Sequence, residues 1–247
     1  MNQKLSKWKG SAVIRQGIGA FIGQSGHNTE HCHWAHQVSF SLEKEVVVSS
    51  GNTEVQSRAI FIPANIPHSL HPCSTLTIYI DPNSDLLKSI TYDMSFSSII
   101  CELPDIVTNQ IMTCFQDNDS LENGVQALQS IHTKTSNNKK NARLSTVLVR
   151  LEKVLQGECV TRDELAELVN LSSSRFSHWF KEQTGLPLRS YKKWLHLVHG
   201  IESVLNGVSI QSAAYNANFS DQAHFSRTFK MAFGISPALA LSHITTE

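Results

Sequence analysis

The 247-residue sequence predicts an α+β protein: a β-rich N-terminal domain, a few helices after it, and an all-α C-terminal domain. Three observations predict it. Up to about residue 81, short runs rich in Val and Ile are punctuated by Gly, Asn and Pro, as strands and their turns are. From about residue 84 the apolar residues recur at helical spacing. One helical element also occurs twice. Phe176-Ser177-x-x-Phe180-Lys181-x-x-x-Gly185 returns 49 residues later as Phe225-Ser226-x-x-Phe229-Lys230-x-x-x-Gly234. Ahead of it, Ala166-x-x-x-Asn170-Leu171-Ser172 returns 48 residues later as Ala214-x-x-x-Asn218-Phe219-Ser220.

In chain order, "HQVSFSLEKEVVVSSG", "TEVQSRAIFIPANIPHSL" and "STLTIYIDP" read as short strands. Two or three helices follow between about 84 and 133, interrupted near Pro104 and around "QDNDS". "HTKTSNNKKNAR", residues 132–143, is polar and aperiodic and reads as an interdomain linker. Beyond it "LSTVLVRLEKVLQ", "TRDELAELV" and "LPLRSYKKWLHLVHGIESVLNG" are helical and, with the two copies, complete the C-terminal domain. The expected units are residues 1–83, a helical stretch 84–133, a linker 134–143, and a domain 144–247.

Composition narrows the class. Apolar content of 40% and charged content of 17% suit a soluble globular chain. No apolar run reaches membrane-spanning length, and no apolar stretch with a cleavage site follows the basic "MNQKLSKWKG". Five cysteines, an odd number without CxxC spacing, fit free thiols in a reducing cytoplasm. The zero net charge hides an asymmetry: residues 1–138 hold 8 Lys/Arg against 12 Asp/Glu, and residues 139–247 hold 13 against 9. An anionic partner therefore belongs to the C-terminal part.

The repeat has a mechanical reading. Ala166 and Ala214 leave room for a closely crossing helix, and Asn170 and Asn218 tolerate the left-handed backbone of a tight interhelical turn. An apolar plug follows (Leu171, Phe219), then Ser172 or Ser220 as N-cap. The next helix buries two phenylalanines at i and i+4 and ends at a glycine. This is a helix-turn-helix, present twice. The joining segment from Pro187 to Asn206 holds 20 residues, about 30 Å at 1.5 Å each. One turn of B-DNA is about 34 Å, so both second helices can enter successive major grooves.

The arrangement resembles the DNA-binding domain of the AraC/XylS family of bacterial transcription regulators over roughly residues 145–240. The family signature is carried by Ala214-x-x-x-Asn218-Phe219-Ser220-Asp221-Gln222-x-His224-Phe225-Ser226-Arg227-x-Phe229-Lys230-x-x-Phe233-Gly234-x-Ser236-Pro237, and the first copy and Leu188-Arg189-x-Tyr191 fit it too. Departures are Asn170 and Asn218 where glycine is commoner, His196 and His199 in place of arginines, and Gly200 in place of alanine. In a helix interior Gly200 is expected to cost up to about 1 kcal/mol.

On the second recognition helix, Phe225 and Phe229 define the inward face, so Gln222, Ala223 and His224 are candidates for the groove and Arg227 and Lys230 for phosphates. On the first, Ser173, Ser174, Arg175, Ser177 and His178 surround Phe176, with Arg175 the guanine reader and Lys181 the phosphate clamp.

The resemblance implies an N-terminal cupin-like β-barrel that binds a small effector, followed by helices that make a homodimer. It implies promoter DNA as partner, and RNA polymerase where the protein acts as an activator. Pro63-Ala64-Asn65-Ile66-Pro67-His68 resembles a cupin motif with Asn65 in place of glycine. In "HCHWAHQ", His31 and His33 point the same way if the segment is a strand, and with His68 they make three imidazoles. Catalytic cupins add a carboxylate where this chain has Gln37, so the trio is expected to line an effector pocket without a metal. No Ser-His-Asp set, phosphate loop or carboxylate pair points to catalysis, and no cofactor is expected. Two alternatives are a partner protein as the bound signal, and a cupin metalloenzyme joined to a DNA-binding domain.

Overall fold

The computed structural model describes residues 8–15, 17–84, 86, 99–135 and 142–245, with the backbone alone for 131–135. The chain is α+β. Eight strands come first: β1 (Lys9–Arg15), β2 (Ile18–Gln24), β3 (His36–Ser41), β4 (Val46–Ser50), β5 (Thr53–Ser57), β6 (Ala59–Ile62), β7 (Ser69–Leu70) and β8 (Ser74–Ile80). A short β9 (Cys101–Glu102) precedes α1 (Asp105–Gln116) and α2 (Leu121–Thr135). Most of the helical pattern expected between 84 and 98, and the linker residues 136–141, lie outside the described residues. Helix α2 runs to Thr135, inside the stretch expected to be linker, and α3 (Ala142–Glu152) begins before its expected end.

The strands make two sheets rather than the closed cupin-like barrel expected. One has seven strands in the order β10-β1-β2-β8-β3-β6-β9, with β10 the late strand Ile244–Thr245, and the other three in the order β5-β4-β7. The larger sheet does not close on itself: it ends in the two-residue strands β10 and β9, which do not pair with each other. The outer edge of β1 pairs in parallel with β10 (Ile244–Thr245), a strand from beyond the helical domain, and β6 pairs with β9. Alternation along β6 serves two cores. Ala59 and Phe61 face the cluster that includes Val38, Ile78, Ile111, Val125 and Leu128 under α1 and α2. Ile60 and Ile62 face Val46 and Val48 of the smaller sheet.

The C-terminal helices are α4 (Arg162–Leu168), α5 (Ser173–Thr184), α6 (Leu188–Leu205), α7 (Ile210–Asn216), α8 (Gln222–Phe233) and α9 (Pro237–Leu241). Their ends follow capping chemistry. Thr161 and Glu164 form a reciprocal capping box on α4, and Ser172 accepts from the Arg175 N–H on α5. Asn170 and Asn218 sit at φ 50° and 56°, the left-handed turn expected of both copies. The second cap differs from expectation. Asp221, not Ser220, caps α8 by accepting from the His224 N–H, because the second copy has one extra residue here, where the offset changes from 48 to 49. Ser220 Oγ lies 3.2 Å from His224 Nδ1 instead.

Candidate functional site

Phe176, Phe180 and Phe225 are fully buried and Phe229 nearly so, which fixes the rotation of both recognition helices. On α5, Ser174, Arg175, His178 and Lys181 are exposed, while Ser173 and Ser177 are half-buried. Ser173 is engaged within the unit: its hydroxyl donates to the Asp163 carboxylate on α4, and Ser177 donates back to the Ser173 carbonyl at 3.0 Å. On α8, Gln222, Ala223, Arg227 and Lys230 are exposed. His224 is half-buried with its ring edge-on to Phe219 at 5.1 Å. One residue escaped the sequence reading. Tyr215 on α7 is 81% exposed and, with Gln211 and Ser212, borders a groove that runs to Gln222 and Ala223. Its signal was an aromatic side chain next to Ala214, off the buried face.

Both units are mounted on α6, capped by Pro187 and Asn206, the two residues that bounded the expected spacer. Its 18 residues span about 27 Å. Gly200 is required here by packing, since a Cβ would lie 2.6 Å from Phe225 Cε2 and 3.3 Å from the Ala217 Cβ. The glycine lets α6 and α8 approach. The expected propensity cost is exchanged for the seating of Phe225.

The N-terminal domain presses on this scaffold. Trp34 meets Trp194 edge-to-face at 6.2 Å, with Lys193 Nζ 5.7 Å from the Trp34 ring centre. Tyr79 meets Phe233 edge-to-face at 5.6 Å. Past the end of α8, the Gly234 carbonyl accepts from both the Thr29 N–H and the Thr29 hydroxyl at 3.0 Å. Gly234 has φ 69°, and a Cβ there would lie 2.2 Å from the Thr29 carbonyl oxygen. Between the two domains lies a cavity of about 930 Å³ whose lining includes Ile14, Phe21, Tyr79, Trp194, Val198 and Phe233. Burial pushes the Asp81 carboxyl on its wall upward, opposed by the Asn83 N–H, which donates to it at 2.8 Å, and by Trp194.

The three histidines meet. His31, His33 and His68 are buried, and one ring nitrogen of each lies within 4.8 Å of the others. The segment around His31 is not the strand expected but a single bridge to His68, with backbone bonds of 2.9 and 2.8 Å. His31 and Gln37 are among the residues that line the cavity, whereas His33 and His68 are buried and are not. Each Nδ1 faces a backbone carbonyl: His31 with Thr29 at 2.9 Å, His33 with Ala35 at 2.7 Å, His68 with Ile66 at 2.8 Å. Gln37 Oε1 lies 2.8 Å from His33 Nε2 and 3.3 Å from His68 Nε2, and the Gln37 amide donates to Ser39 Oγ at 2.8 Å. Burial first, then the neighbouring His33, lowers His31 to about 4, and burial with both neighbours lowers His68 to about 2. Burial also lowers His33. All three are neutral at physiological pH.

Residues 165–241 match the family profile described as a helix-turn-helix domain. The HTH-type transcriptional activator RhaS of Escherichia coli (strain SE11) is 34% identical over 97 residues, which are 39% of this chain and 34% of that protein. RhaS of Escherichia coli O157:H7 is 33% identical over the same length. The chain thus spans about a third of the length of the curated relatives it matches. Among solved structures, ToxT from Vibrio cholerae O395 superposes with a TM-score of 0.55 at 13% identity over 93% of this chain and 98% of that one. ToxT from strain SCE256, solved with an unsaturated fatty acid bound, gives 0.53 at 12% identity over 94% and 98%. That likeness is one of fold, and no helix among the described residues is long and apolar enough to cross a membrane. Two helix-turn-helix units on one connecting helix, with the profile match across them and the likeness to RhaS, show a helix-turn-helix DNA-binding region over residues 165–241 that is similar to those of AraC/XylS-type transcription regulators.

Proposed function

We propose that this chain binds promoter DNA through α5 and α8 together and that a small molecule in the interdomain cavity controls it. The observation that carries the reading is the pair of exposed polar faces held at the two ends of α6. Arg175 and Gln222 read bases, Lys181, Arg227 and Lys230 hold phosphates, and Ser174, His178, Ala223 and His224 line the grooves. Ser173 and Ser177 support α5 from within. The cavity wall is mostly apolar, and a neighbour of the same fold was solved with a fatty acid, so the effector class is a small, largely apolar molecule. His31 is its polar contact, backed by His33 and His68. Occupancy shifts the balance between domain arrangements because the cavity has walls from both domains. The same reading gives RNA polymerase as partner when the protein activates, a second copy as partner of α1 and α2, and no catalytic activity.

The test is selection from a random DNA pool with the full chain. The expected site has two elements about 34 Å apart, bound with affinity that falls steeply as salt rises. No enrichment at low salt overturns the DNA reading. A fatty acid at a hundredfold excess over Kd is expected to stabilise the chain by about 2.7 kcal/mol, visible as a thermal shift. No shift across a panel of apolar acids overturns the effector class.

A further inference from the structure

We propose that His31, His33 and His68 form a transition-metal site, for which zinc(II) is the best-fitting occupant. The case rests on where the hydrogens sit. A backbone carbonyl only accepts, so the three Nδ1 contacts of 2.7–2.9 Å place the hydrogen of each neutral ring on Nδ1. Each Nε2 therefore carries a lone pair. Nδ1–H donated to a carbonyl, with Nε2 left free, is how proteins orient metal-binding imidazoles and fix their tautomer. Gln37 adds a carbonyl oxygen beside the Nε2 atoms of His33 and His68, its amide nitrogen being drawn away by Ser39. At His33 and His68 the electron pairs of Nε2 and of the Gln37 oxygen then face one another without a hydrogen between them, and a cation would give them a common partner.

The backbone is built to hold the site. His31 and His68 exchange both backbone bonds, and the Asn65 N–H donates to the His33 carbonyl at 2.9 Å from a left-handed turn at φ 63°. Zinc with bonds of about 2.0–2.1 Å keeps tetrahedral ligands about 3.3 Å apart. One ring nitrogen of each histidine already lies within 4.8 Å of the others, about 1.5 Å more than such an ion requires. Three imidazoles without a carboxylate suit zinc, copper, nickel or iron rather than magnesium or calcium. His31 and Gln37 border the cavity, so an ion held by the trio would lie next to the place where a ligand would sit. This inference goes beyond DNA recognition and does not depend on it.

The experiment uses the full chain stripped with a chelator and titrated with zinc against a chromophoric competitor, then with cobalt(II) as a spectroscopic stand-in. One equivalent of zinc is expected to bind, with a rise in melting temperature and a visible tetrahedral cobalt band. His33→Ala and His68→Ala should each lose the band and the stoichiometric binding while circular dichroism stays unchanged. If either fails to fold, His31→Asn, at the cavity edge, should lose both signals, and Gln37→Glu, which keeps every imidazole, should bind more tightly. No binding by the stripped wild-type chain, or binding that survives loss of these histidines, overturns the site in favour of a buried histidine cluster without a metal.

Discussion

The first helix-turn-helix unit packs Phe176 and Phe180 into a core drawn almost wholly from its own surroundings: Val147, Leu151, Leu165, Val169 and Tyr191, with Trp34 at the margin. The second packs Phe225 and Phe229 into a core that also takes Ala35, Trp34, Ile14 and Tyr79 from the N-terminal domain. The glycines that end the two recognition helices divide the same way. A Cβ at Gly185 meets nothing within 4 Å, whereas one at Gly234 runs into Thr29 and His31. One reading head is nearly self-supporting and the other is braced by the domain that would receive a signal. A change in the N-terminal domain therefore meets the core behind α8 through several residues, and the core behind α5 through Trp34.

Deleting the core phenylalanines should break this comparison most visibly. Phe176→Ala and Phe225→Ala are each expected to cost about 3–5 kcal/mol. Followed by denaturation with a probe in each domain, Phe225→Ala should destabilise the N-terminal domain as well, and Phe176→Ala only the C-terminal one. Equal effects on both probes would mean the two cores are one.

The capping glycines give the next largest contrast. Gly185→Ala meets only the left-handed backbone at φ 73°, a cost of about 1–2 kcal/mol. Gly234→Ala adds a collision with the Thr29 carbonyl and should exceed that figure, measured by thermal unfolding of both variants. Equal losses would show that Thr29 yields freely.

On DNA, Arg175→Ala and Gln222→Ala are each expected to cost about 1–3 kcal/mol on the selected site and to relax preference at one base position. Lys181→Ala should weaken all sequences alike and lower the salt slope by about one. If bound effector moves α8 rather than α5, it should change the Gln222-dependent preference and leave the Arg175-dependent one in place.

The smallest effect separates the caps. The His224 N–H, the largest influence, holds the exposed Asp221 carboxyl below its ordinary range. A lowered folded value adds stability that is present above about pH 3.9 and is lost as pH falls through the folded pKa. Hydrogen exchange at the His224 amide should therefore gain protection with rising pH across the acid range, after correction for intrinsic rates. Exchange at the Arg175 amide, capped by the hydroxyl of Ser172, should not.

Much of this was legible in the sequence because helix-turn-helix chemistry is local. Asn170, Asn218, the paired phenylalanines and the terminal glycines each act within a few residues, and their spacing revealed both units and the joining helix. The meeting of His31, His33 and His68 was also anticipated, though through a bridge rather than a strand. What failed depended on distant partners. The pairing of Ile244 with Gly10 links the two ends of the described chain and puts β10, not a barrel partner, beside β1. Gly200 looked like a cost until Phe225 was found against it, and Asp221 displaced Ser220 through one extra residue. The cavity between the domains has no local signature, since its walls come from strands and helices more than 100 residues apart.

The two bonds from Thr29 to Gly234 also carry a genetic consequence. If they hold α8 in one posture, and a small molecule acts through the cavity as proposed, substitutions that release them should uncouple DNA binding from that molecule without touching a DNA contact. A selection for target-gene expression that no longer tracks the effector should then return changes at Thr29, Tyr79 and Phe233. A selection for altered operator preference should return Arg175 and Gln222. Two mutational maps that do not overlap, drawn from one short protein, would be the hereditary imprint of a single capped helix end.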